Sequence, residues 1–137
     1  MGVTKVTVAV CNPSDPERRW EGLFLVDTGA IDSMVPNSKL KEIGIKPEGK
    51  RAYELADGTE RIMDVAVARL EFMGEFVGAT VIFSKDDVEP ILGVTALESV
   101  GIEIDPQNQR LRRLPAVRLK GNKKGKGKKE KGDVSIF

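Results

Sequence analysis

In the stretch FLVDTGAIDSMVP (residues 24–36), an apolar run ends abruptly in Asp27, followed by Thr28 and Gly29. A strand headed for a protein interior rarely ends in an unpaired acid, because burying a lone charge is costly. Glycine suits a tight turn directly after a strand and lets another chain come close. The Thr28 hydroxyl can hydrogen-bond a neighbouring backbone group or carboxylate. Such a turn holds the Asp27 carboxylate rigidly, with its oxygens facing outward. One carboxylate alone is a poor hydrolytic device. Two that share one proton are a good one: one takes a proton from water while the other donates to a carbonyl oxygen, since like charges this close do not both ionise. The chain contains a single Asp-Thr-Gly. The second acid therefore has to come from a second copy of the chain, in a symmetric homodimer.

Composition removes several other chemistries. The chain has no histidine, which excludes Ser-His-Asp and Cys-His catalysis and the commonest metal ligand. Its one cysteine, Cys11, forms neither an internal disulfide nor a Cys cluster for zinc. Cys11 reads as a small, semi-buried strand residue, and a reducing, cytoplasmic setting is expected. The N-terminus lacks a charged-then-apolar signal pattern, and no apolar run is long enough to span a membrane, so no membrane partner is expected. Asp86 and Asp87 are adjacent acids in a polar loop and read as solvated, so no metal site is assigned.

The elements that must position Asp27 are mostly strands. VTKVTVAV (3–10) alternates with β-branched residues and reads as a strand. CNPSDPERR (11–19) holds two prolines and turn formers and reads as a loop. WEGLFLV (20–26) is the returning strand of a hairpin. PNSKLKEIG (36–44) predicts a short helix, with Pro36 near its start, Leu40 and Ile43 on one face and Gly44 as the stop. RAYEL (51–55) and ERIMDVAVARLEF (60–72) are strand-like arms around an Asp-Gly turn, a strong hairpin signal. FVGATVIFS (76–84) is a further strand and SKDDVEP (84–90) a polar loop. PILGVTALESVGIEID (90–105) predicts an apolar segment, a short helix over 94–100 capped by Gly101, and a strand; RLRRLP (110–115) is the last strand. Many short strands and two short helices define an all-β domain. Trp20 and Tyr53 read as packing residues.

Four of these features, in this order, resemble the retropepsin-like aspartic proteases, especially their small single-domain members in bacteria and archaea. FLVDTGA is similar to the apolar-apolar-Asp-Thr-Gly-Ala signature. LADGT (55–59) resembles the tip of the flap hairpin. PILG (90–93) resembles the segment that passes beneath the active-site turn, and VTALESVGIEID the family's lone helix and following strand. A bare Asp-Thr-Gly is a weak signal; the ordered set over residues 3–115 is specific. The resemblance implies a closed-barrel lobe of double-psi type with one or two short helices, working as an obligate-type homodimer. It implies that Asp27 is the catalytic aspartate, paired with Asp27 of a second copy. Thr28 would lock the two turns together across the dimer, and Gly29 would lie close to a bound peptide. Ala30 would line the site, and Asp32 would contact substrate or hold the turn. Ala56, Asp57, Gly58 and Thr59 would form the flap that closes over substrate, with Asp57 itself a turn residue. Ile91, Leu92 and Gly93 would support the floor. Water would be the nucleophile, so no cofactor is expected, and the implied reaction is hydrolysis of a peptide bond in an extended peptide or protein substrate. The sequence departs from the retroviral pattern at Ile31, where an acid would stand, and in having one glycine at the flap tip.

The net charge of +1 hides an asymmetry: residues 116–137 hold eight basic and two acidic residues, leaving the remainder acidic. The expected organisation is a protease domain over residues 1–116 and a disordered Lys/Gly-rich tail over 117–137. The tail admits two readings, a solubilising terminus or a weak, sequence-independent contact with nucleic acid. GNKKGKGKK (121–129) is not a phosphate loop, because it lacks the closing Ser/Thr and the glycine spacing. Two rivals to the endopeptidase stay open: a catalytically silent dimeric peptide-binding or oligomerisation module on the same fold, and nucleic-acid association driven by the tail.

Overall fold

Alternation of apolar and polar residues along the strands sends one set of side chains inward and the other outward. In a computed structural model, which describes residues 4–105 and 107–117, this alternation folds into nine strands and two helices among the described residues. In chain order they are β1 (Lys5–Asn12), β2 (Asp15–Asp27), β3 (Ser33–Pro36), α1 (Asn37–Glu42), β4 (Gly49–Glu54), β5 (Glu60–Phe72), β6 (Glu75–Ser84), β7 (Ile91–Gly93), α2 (Val94–Ser99), β8 (Ile102–Asp105) and β9 (Arg110–Arg113). The main sheet runs β1-β2-β7-β3-β6-β5-β4, and β1 also pairs with β5. Six strands therefore close on themselves as a barrel, and β4 stands outside the ring, bonded to β5 alone. The pairs β2–β7 and β3–β6 are parallel, and the others are antiparallel. Strands β8 and β9 form a separate two-stranded sheet. No helix among the described residues is long and apolar enough to cross a membrane.

The barrel interior is filled by Val8, Val10, Phe24, Val26, Leu70, Val81 and Leu92, and the helices contribute Leu40 and Leu97. Trp20 packs against this core with its ring 5.9 Å from that of Phe24. The all-β architecture with two short helices agrees with the sequence reading. The helices stop at Gly44 and Gly101, whose N–H groups return to the Lys41 and Glu98 carbonyls. Asp86, read as simply solvated, does more: its Oδ1 accepts the Ser38 N–H at 2.8 Å and satisfies a free donor at the start of α1.

The segment 11–19 corrects the sequence reading. It is not a loop; β1 runs to Asn12 and β2 starts at Asp15, leaving only Pro13 and Ser14 in the turn. The Asn12 side chain closes that turn by accepting the Ser14 N–H at 2.9 Å. Long side chains then fasten the arm: Arg18 donates to the Glu42 carbonyl at the end of α1, and Arg19 pairs with Glu71 at 2.9 Å. Cys11 is fully buried rather than semi-buried. It stands between Arg19 on β2 and Arg69 on β5.

The expected domain boundary at residue 116 falls next to the end of the described chain, and the basic tail from residue 118 onward lies outside the described residues.

Candidate active site

Asp27 is the last residue of β2, half-buried, and Thr28 and Gly29 are exposed. The turn is fixed by its own backbone. Gly29 N–H donates to Asp27 Oδ1 at 2.9 Å, and Ala30 N–H donates to the Asp27 carbonyl at 3.0 Å. One carboxylate oxygen is thus held, and the side chain keeps a single orientation.

The floor comes from β7, which lies between β2 and β3. Ile91, Leu92 and Gly93 stand in parallel register with Leu25, Val26 and Asp27, so Gly93 is the direct neighbour of Asp27. Leu92 is fully buried and anchors the strand in the core. A Cβ on Gly93 would lie 2.7 Å from both the Ile31 carbonyl oxygen and the Asp32 carbonyl carbon. Only glycine lets the turn pass this close. The buried Gly93 N–H donates to Ser33 Oγ at 2.9 Å. On its far side the turn is tied to α2, where Val94 N–H donates to the Ala30 carbonyl and Thr95 N–H to the Ile31 carbonyl. The Asp27 turn is therefore gripped by β7, Ser33 and the start of α2 at once.

The flap is the β4–β5 hairpin, with Glu54 opposite Glu60. Ala56, Asp57, Gly58 and Thr59 form its exposed tip. Asp57 Oδ1 accepts both the Thr59 N–H at 3.0 Å and the Thr59 hydroxyl at 2.7 Å. These bonds hold the Asp57 carboxyl below its usual pKa. Gly58 has φ +88°, a conformation natural to glycine, and its N–H donates to the Leu55 carbonyl.

Asp32 is where the turn and the flap meet. Its Oδ2 accepts the Tyr53 hydroxyl at 2.6 Å and faces Arg51 Nη1 at 3.5 Å. Burial, together with the bond to Asp32, pushes the Tyr53 phenol up to about 12. The structure thus brings Asp27, Thr28, Gly29, Ala30, Asp32, Ile91, Leu92 and Gly93 into one layer, and places Ala56–Thr59 at the hairpin tip. Sequence reasoning passed over Ser33 and Arg51 and read Tyr53 as a packing residue, whereas its hydroxyl donates to Asp32. Two of these were within reach: residues 51 and 53 share one face of a strand, and a tyrosine on the flap arm nearest an acidic turn is a donor looking for an acceptor.

Comparison with known proteins gives the chain a family. Residues 21–99, more than half of the chain, match the family described as "gag-polyprotein putative aspartyl protease". The matched span holds the Asp27 turn, the flap and the floor. The chain belongs to this family of retropepsin-like aspartyl proteases. It is similar to the simian foamy virus (mac) protease in solution, at 18% identity over 68% of this chain and 90% of that one, with a TM-score of 0.49. It is also similar to the foamy viral protease-reverse transcriptase in complex with an RNA/DNA hybrid, at 20% identity over 67% of this chain and a TM-score of 0.48. The chain spans 11% of the length of that protein. No curated protein sequence matches it.

Proposed function

We propose that the protein is an aspartic endopeptidase that works as a homodimer, each subunit contributing one Asp27. The observation that carries this reading is the rigid Asp-Thr-Gly turn, with Asp27 oriented by the Gly29 N–H and backed by Gly93. In the two-fold assembly, a water lies between the two Asp27 carboxyl groups, which hold one proton between them. The ionised one takes a proton from the water as its oxygen bonds to the peptide carbonyl carbon. The protonated one gives its proton to the carbonyl oxygen. The resulting tetrahedral diol breaks at the C–N bond when a proton reaches the nitrogen, leaving a free acid and a free amine. The nucleophile is water, so the chain's own residues suffice and no cofactor is called for.

Thr28 ties the two turns together, and Gly29 and Ala30 line the cleft. Ile91, Leu92 and Gly93 hold its floor in place. The tip Ala56–Thr59 closes over an extended peptide and keeps bulk water out. Membership of the retropepsin-like family supports each of these roles, and the closed barrel with a free-standing flap supplies the frame.

The test is cleavage of a mixed peptide library from acidic to neutral pH, with Asp27→Asn run beside the wild type. Cuts made by the wild type and absent from the variant carry the proposal and give the side-chain preference. Identical patterns from the two proteins would leave a peptide-binding dimer as the better account.

A further inference from the structure

Strand β4 has an anchoring problem. It lies outside the closed ring, bonded to β5 alone, and apart from Tyr53 it is exposed along its whole length. A two-stranded ribbon of this kind is marginally stable in water without packing on one face. Yet the height of the flap above the Asp27 turn has to be defined if it is to close over a peptide.

Tyr53 and Arg51 stand two residues apart on β4 and so share one face. Both reach the same carboxylate oxygen, Asp32 Oδ2. The Tyr53 bond, at 2.6 Å, is in the short range of charge-assisted O–H···O⁻ bonds. The Asp32 side chain is only 12% exposed, whereas Arg51 is 53% exposed. Tyr53 is therefore the tighter partner, and Arg51 a second, looser one. The far end of the contact is immobile, because the backbone flanking Asp32 is bonded to α2 through Ile31 and packed on Gly93. The phenol, pushed up to about 12, remains a donor across the pH range in which a protease works.

We propose that the Tyr53–Asp32 hydrogen bond, seconded by Arg51, is a latch that fixes the flap strand to the active-site turn. Tyr53 is then a positioning residue for the endopeptidase, and the Asp32 carboxylate serves the flap rather than the substrate. The kinetic part of this inference rests on the endopeptidase reading, and the conformational part does not.

Amide hydrogen exchange decides the conformational part. Leu55 N–H, bonded to the Thr59 carbonyl across the flap, is the reporter. Tyr53→Phe and Asp32→Ala each speed its exchange about tenfold, the effect of losing one hydrogen bond to a charged group. The double variant is no worse than Asp32→Ala alone, because that substitution already removes the Tyr53 bond together with the Arg51 contact. Asp32→Asn, which keeps an acceptor oxygen, retains part of the protection. On a cleaved peptide, Tyr53→Phe raises KM more than it lowers kcat. The latch is overturned if Tyr53→Phe leaves Leu55 exchange unchanged, or if the two effects add. It is also overturned if Asp32→Ala raises KM while Tyr53→Phe leaves it unchanged, since the carboxylate would then act on substrate. A wild type that cleaves nothing removes the endopeptidase reading, while the exchange rates still decide the latch.

Discussion

Gly93 has no space for a methyl group: the Ile31 and Asp32 backbone atoms already occupy it at 2.7–2.8 Å. Gly93→Ala therefore pushes the active-site turn away from β7 and costs about 1–3 kcal/mol, as overpacking does. Calorimetry checks it as a melting temperature lowered by roughly 5 °C or more, with a matching loss of peptide cleavage. Ser33→Ala acts on the same contact from the other side. It leaves the buried Gly93 N–H without an acceptor, a deficit of about 1–3 kcal/mol. Cys11 shows the opposite kind of protection. Burial, then the nearby Glu71 carboxylate, raises its thiol above the usual value. Since the thiolate is the reactive form, a thiol-alkylating reagent at pH 8 modifies the folded protein slowly and the unfolded chain quickly. Mass spectrometry with and without denaturant reads the difference. Glu71 also pairs with Arg69 at 2.8 Å, and fast labelling of the native chain would show that this Arg19–Glu71–Arg69 cluster opens readily.

The flap is the element whose behaviour depends most on pH. The Asp57 carboxyl titrates below its ordinary value because it accepts from Thr59 twice. A group with a depressed folded pKa adds its stabilisation above its unfolded pKa and loses it as pH falls through the folded one. The tip is thus fully ordered at neutral pH and loosens in acid, below the ordinary aspartate range. An NMR titration of the Thr59 amide should show a midpoint below that range, and Asp57→Ala should abolish the transition. If the midpoint sits at the ordinary aspartate value, the two bonds are not made in solution. Gly58→Ala meets open space but forces alanine to φ +88°. The expected penalty is roughly 1–2 kcal/mol, confined to the hairpin tip. It should appear as faster flap exchange with little change in melting temperature. The first hairpin was harder to read than the flap. Two prolines in residues 11–19 signalled a loop, yet Pro13 occupies the turn, and the Arg18 and Arg19 contacts keep the rest extended. Those contacts are distant in sequence, so local propensity had no access to them.

At the scale of the whole molecule, one carboxylate per chain makes the proposed activity a property of pairs. Mixing wild type with Asp27→Asn before assembly tests this directly. If both carboxylates are needed, activity follows the square of the wild-type fraction, and an equal mixture at constant total protein keeps about one quarter of the activity. A linear fall to one half would mean that each chain acts alone. Asp27→Asn itself should leave folding intact, because the asparagine side-chain oxygen can still accept the Gly29 N–H. Circular dichroism and the melting curve verify that the loss of cleavage is chemical.

The sequence by itself determined the strand-rich class, the two short helices, the Asp27 turn and the order turn, flap, floor, helix. Each of these is written in local signals: β-branched alternation, an Asp-Gly between two strand arms, an acid and a glycine directly after an apolar run. The single Asp-Thr-Gly also led to the proposal that a second copy of the chain supplies the other carboxylate. The tertiary structure decided what local signals do not reach. The closure of β1 on β5 makes a barrel of the sheet and leaves β4 outside it. The passage of β7 beneath the turn explains why residue 93 is glycine. The meeting of Asp32 with Tyr53, 21 residues away, turns a residue read as packing into a hydrogen-bond donor at the site. The physical reason is the same in all three cases: these contacts join segments far apart in the chain, and only the closed packing of the barrel sets their distances.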